Sequence, residues 1–145
     1  MGAKDAAKNE IASFAKKSDR LKEEGNVHFV AKNWKEALNS YQKALEMTMA
    51  GTEERASLYS NRAACFLMEN RYREAIRESD AALESKPDFK PALVRRSRAY
   101  EQINEYSKAV SDLESALKVD PADEGLKKKL NAMKSRAANQ KASRR

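Results

Sequence analysis

Apolar residues recur along this chain at the spacing of helices. Tyr41, Ala44 and Leu45 fall at i, i+3 and i+4, and so do Leu113, Ala116 and Leu117, the stripe that one face of a helix buries. Leu126, Leu130, Met133 and Ala137 stand at i, i+4, i+7 and i+11, with lysines elsewhere on the same turns. The pattern predicts six helices near residues 18–31, 34–48, 53–68, 71–84, 91–102 and 105–118. A seventh, over 122–138, has the single apolar stripe of a capping helix. Residues 1–17, rich in Ala and Lys, either extend the first helix or stay loose, and 139–145 are expected to form a basic disordered tail.

The stripes repeat. WKEA ending at Ala37, YREA ending at Ala75 and YSKA ending at Ala109 are separated by 38 and 34 residues. Ala44, Ala82 and Ala116 keep the same separations, as do Trp34, Tyr72 and Tyr106, and the small residues Gly25, Ala63 and Ser97. Pro87 and Pro121 are again 34 apart. The four extra residues between the first two copies fall in MTMAGTEE, a lengthened loop around Gly51. Small residues at fixed offsets let two helices approach closely, and each helix pair buries its apolar face only by stacking on a neighbour.

A period of 34, with an aromatic before each second helix and a closing proline, resembles the tetratricopeptide repeat. The resemblance covers about residues 18–121 and implies an all-α solenoid of three helix-turn-helix repeats (about 18–50, 56–87 and 90–121) closed by the seventh helix.

Composition narrows the field. The chain has 145 residues, of which 35% are charged, with four Gly, three Pro and one cysteine, Cys65. That is one domain, and a lone cysteine cannot form an internal disulfide, as expected of a cytoplasmic protein. No apolar run approaches a membrane span. The net charge of +7 is concentrated at one end: residues 126–145 hold eight Lys and Arg and no acid, leaving 21 basic against 22 acidic residues before them. The basic pI is therefore no argument for nucleic acid, and neither a nucleic-acid nor a membrane partner is expected. The alternative from another class is anion binding, to RNA or membrane, through this C-terminal segment, although it lacks the interleaved aromatics of a single-strand binder.

No catalytic set can be assembled around His28, the only histidine. There is no phosphate-cradling glycine loop, and no enzyme activity, cofactor or metal is implied. The candidate chemistry is a row of donors. In stacked pairs the first helix of each repeat lines the concave side, so Asn61 and Arg95, 34 apart, hold the same place in successive repeats. Lys22 lies one residue before the matching place in the first repeat, and Asn26 follows it by one turn. The four should converge on one stretch of groove as an anion site for a carboxylate, where charge-assisted hydrogen bonds have their greatest effect. Phe29 and Ala64, each one turn further on, would form a shallow apolar pocket beside it.

The phrases LKEEGN, LYSNRAA and ALVRRSRAYE are similar to the co-chaperone class of these repeats. That class grips the C-terminal Glu-Glu-Val-Asp of heat-shock protein 90 and heat-shock protein 70 in a carboxylate clamp. The resemblance implies that Lys22, Asn26 and Asn61 hold the terminal carboxylate and that Arg95 contacts the last side chain or backbone. One position departs from it: Pro91 stands where the class has Lys or Arg. Proline suits a first helical turn and should push Lys90 out of helical geometry. Lys90 at the helix entrance and Arg98 one turn beyond Arg95 are the candidate replacements for the missing charge. A groove for some unrelated peptide is the remaining alternative.

Overall fold

A computed structural model describes residues 2–144. Among them run seven α-helices and no strand: α1 (Ala3–Val30), α2 (Trp34–Leu45), α3 (Glu53–Met68), α4 (Tyr72–Ser85), α5 (Lys90–Gln102), α6 (Tyr106–Val119) and α7 (Glu124–Ser143). The expected all-α solenoid is the fold. Three antiparallel pairs, α1–α2, α3–α4 and α5–α6, stack in chain order and α7 closes the stack on α6. Also, α3 packs directly on α5, and the second helices make no comparably extensive contact with one another. The α3–α5 contact sets two first helices side by side on one face of the stack, taken here as its inner face.

At three places the structure decides what the sequence left open or placed otherwise. Residues 3–17 belong to α1, so the first helix spans 28 residues. At the other end, α7 continues five residues beyond 138, which corrects the expected disorder over 139–143. Ala, Lys and Gln there are good helix formers, and the Gln140 amide donates to the Asn104 carbonyl at 2.8 Å. Arg145 lies outside the described residues. Third, α5 includes Lys90, with Pro91 in its first turn, so Lys90 is helical after all. Its ammonium is fixed by Asp120 and Asp123 at 2.8 and 2.9 Å.

One joint is used three times. Lys32, Asn70 and Asn104 have φ of 63°, 60° and 62°, the left-handed conformation, and follow α1, α3 and α5 at the repeat spacing. At each, the next residue's N–H bonds back five residues, to the carbonyls of His28, Phe66 and Tyr100 at 2.8–2.9 Å. This is the Schellman closure, which satisfies carbonyls that the helix end would orphan. Asparagine tolerates the conformation better than most L-residues. In the second and third copies the hydroxyl of the aromatic two residues on donates to it, Tyr72 to Asn70 at 2.9 Å and Tyr106 to Asn104 at 2.8 Å. The first copy has Trp34 in that place, set edge-on against Phe29 with ring centroids 5.1 Å apart.

The core follows the predicted stripes. Ala37, Tyr41, Ala44 and Leu45 of α2 cluster with Leu58 and Cys65 of α3, while Leu93, Leu113, Leu126 and Met133 form the cluster that fastens α7. No described helix is long and apolar enough to cross a membrane.

Candidate functional site

Gly25 sets the geometry of the inner face. A glycine inside a helix costs about 1 kcal/mol relative to alanine, so something must require it. A Cβ there would lie 2.6 Å from Tyr41 Cδ1 and 2.9 Å from Tyr41 Cζ, well inside van der Waals contact. The bare backbone of α1 thus receives the Tyr41 ring, which is 1% exposed. A buried phenol needs a partner for its hydroxyl, and it finds one a residue beyond the glycine: Tyr41 Oη donates to Asn26 Oδ1 at 2.7 Å. With its oxygen occupied, the Asn26 amide presents its two N–H donors elsewhere. Burial pushes the Tyr41 hydroxyl up to about 12, so it remains a donor throughout the physiological range.

Arg95 of α5 reaches into the same neighbourhood. Its Nη1 donates to Ser60 Oγ of α3. Its charge lies close enough to Tyr41 and Cys65 to oppose the upward push on both groups. Burial draws the guanidinium below its ordinary value, and among the described residues no carboxylate compensates it. The contrast with its neighbour is sharp. Arg96 donates to Asp112 through Nε and Nη2 at 2.9 and 2.6 Å and to Asp80 through Nη1 at 2.8 Å, and these carboxylates raise its value. A guanidinium stays protonated even when desolvated, so Arg95 is a half-buried cation that no carboxylate among the described residues compensates.

Of the residues named from sequence, Asn26 and Arg95 are brought together through Tyr41. Lys22, one turn before Asn26, and Asn61, next to Ser60, are half-buried, and no hydrogen bond or ion pair among the described residues engages either side chain. Ala64 is half-buried, while Phe29 packs against Trp34 and the Tyr41 cluster. Arg98 is exposed. Lys90, a candidate replacement for the charge missing at Pro91, is already committed to Asp120 and Asp123. Tyr41 and Ser60 are the participants that the spacing of donors did not reveal. The signal for Tyr41 was present: a tyrosine on a core stripe implies a buried hydroxyl with a polar partner. Ser60 carried no comparable mark. No group of three or more His, Cys, Asp or Glu among the described residues could hold a metal ion.

Comparison with known proteins agrees with this architecture. The family profile "Tetratricopeptide repeat" matches residues 91–123. A curated relative, the DnaJ homolog subfamily C member 7 homolog of Schizosaccharomyces pombe, is 32% identical over 118 residues, covering 81% of this chain and 25% of the relative. The Hsp90 co-chaperone Cns1 of Saccharomyces cerevisiae superposes with a TM-score of 0.76 at 30% identity, over 88% of this chain and 41% of that one. The TPR2B domain of yeast Sti1, solved as a complex described as TPR2B-domain:pHsp70, gives 0.71 at 26% identity, over 86% and 98%. The chain spans about a quarter of the length of the first curated relatives it matches.

Proposed function

Taking the chain as a tetratricopeptide-repeat solenoid similar to chaperone-binding co-chaperone domains, we propose that its inner face binds the free acidic C-terminus of a cytoplasmic chaperone, as a non-enzymatic adaptor. The ligand is a tail of the Glu-Glu-Val-Asp type, from heat-shock protein 90 or heat-shock protein 70. The observation that carries this reading is Arg95. A desolvated guanidinium whose one hydrogen-bond partner among the described residues is a serine hydroxyl is costly unless an anion completes it, and the donors around it suit a carboxylate. The terminal carboxylate takes N–H bonds from Asn26 and Asn61 and the charge of Lys22, and Arg95 meets the last residue. Tyr41 is the positioning residue, since its hydroxyl decides which way the Asn26 amide faces.

The likeness to Cns1 and to the Sti1 domain supports the choice of ligand. LKEEGN, LYSNRAA and ALVRRSRAYE are similar to the co-chaperone class, and the chain as a whole is proposed to be similar to tetratricopeptide repeat protein 1. With Lys90 held by two aspartates, the charge absent at Pro91 falls to Arg98, one turn from Arg95.

Titration of a fluorescent peptide ending in Glu-Glu-Val-Asp tests the proposal. Binding of roughly micromolar strength, about −8 kcal/mol, is expected. Amidating the peptide's C-terminus, or the substitutions Asn26→Ala and Arg95→Ala, should remove most of it. Binding indifferent to amidation means that the groove takes some other peptide chemistry.

A further inference from the structure

The donor row does not stop at α5. Asn61 and Arg95 are 34 residues apart, and the same step carried onward lands on Lys129 of α7. The packing repeats with the sequence: Arg95 reaches back 35 residues to Ser60 of α3, and Arg136 reaches back 35 residues to Glu101 of α5, at 3.2 Å. At its start and near its end α7 is tied to the third repeat, by Lys90 to Asp123 at 2.9 Å and by Gln140 to the Asn104 carbonyl at 2.8 Å. So α7 continues the row of first helices as well as capping the stack.

Lys129 precedes Arg136 by seven residues, two turns, and shares its stripe. Through Arg136 that stripe faces α5, on one flank of the buried Leu126 and Met133 and the half-buried Leu130. Lys129 is exposed, and no carboxylate among the described residues pairs with it. Its own helix offers none nearby, because the Glu124 carboxylate is bonded to Lys127 and no acid follows Glu124.

Packed helices lie about 8–10 Å apart, the length of roughly three residues of extended chain. Resting on the reading of the groove given above, we infer that Lys129 forms a second anion subsite, which receives the side-chain carboxylate of an acidic residue about three positions upstream of the ligand's C-terminus. The ligand class is thereby narrowed to C-terminal segments acidic at both places. A capping helix with a neutral residue at this register would bind the chain end alone.

Anisotropy titrations of the full chain with two peptides test this, one ending in Glu-Glu-Val-Asp and one in Gln-Glu-Val-Asp. Lys129→Ala should weaken the first by about 3- to 10-fold and leave the second unchanged, while Lys129→Arg restores the first. Lys128→Ala, which removes an adjacent exposed charge, should not distinguish the two. Equal weakening of both peptides by Lys129→Ala, or of neither, overturns the inference. If the wild type also loses the first peptide on C-terminal amidation, only the subsite is lost; if amidation has no effect, the underlying groove reading falls with it.

Discussion

Replacing Gly25 by alanine should destabilise this protein, against the ordinary preference of helices. Helix propensity alone favours the substitution by about 1 kcal/mol. Opposing it, the new methyl would stand 2.6 Å from Tyr41 Cδ1 and 2.9 Å from Cζ. The ring is 1% exposed and packs in a cluster with Ala37, Ala44, Leu45, Leu58 and Cys65, which must shift if it moves. Overpacking of this kind costs roughly 1–3 kcal/mol, and displacing the ring also breaks the 2.7 Å bond to Asn26, worth about 1 kcal/mol. The balance is a net loss of about 1–3 kcal/mol, or a Tm lower by roughly 3–10 °C.

Thermal and urea denaturation followed by circular dichroism measure it, and a double-mutant cycle isolates the cause. In a Tyr41→Ala background the methyl has room, so Gly25→Ala should there be neutral or stabilising. Tyr41→Phe, which keeps the ring and removes only the hydroxyl, should cost about 1 kcal/mol and weaken peptide binding by freeing the Asn26 amide to turn. A Gly25→Ala protein as stable as the wild type, or one equally destabilised in both backgrounds, would refute the argument.

Three further outcomes are expected. Arg96→Met should cost about 2–4 kcal/mol at pH 7, because Asp112, 3% exposed, keeps its charge without its partner; burial already pushes that carboxyl up, so protonation relieves the penalty, and the gap to wild type in denaturation midpoints should narrow as the pH falls toward 4. Cys65, fully buried with its thiol pushed up from 9.0 to about 12, should resist iodoacetamide at pH 8, where about one thiol in ten thousand is ionised instead of about one in ten; rapid labelling of the native protein by mass spectrometry would contradict this. Pro91→Lys places a charge one turn before Arg95 at an exposed site of the first helical turn, and should tighten binding of the Glu-Glu-Val-Asp peptide by about 3- to 10-fold in the same anisotropy assay.

The repeat was legible because its causes are local and periodic. A small residue where two helices touch and an aromatic ahead of each second helix are written at fixed offsets, and they gave the helix pairs and the core stripes. The reach of Lys90 was not legible: whether a four-carbon side chain turns to the groove or to Asp120 and Asp123 depends on where two later helix ends come to rest. The role of Tyr41 was half legible, since its stripe placed it in the core while the aim of its hydroxyl depended on a glycine fifteen or so residues earlier. The same holds at the C-terminus, where a polar composition suggested disorder and a single side-chain bond to the turn after α5 accompanies the continued helix.

Each left-handed joint, at Lys32, Asn70 and Asn104, carries its whole instruction within a few neighbouring residues. The pitch of the array is therefore modular: a duplicated 34-residue block set ahead of α7 would bring its own asparagine and tyrosine and add one further step of the same screw. The first joint, a lysine without the tyrosine tether, is the place where that screw is least firmly set, and where a Lys32→Asn exchange would tighten it.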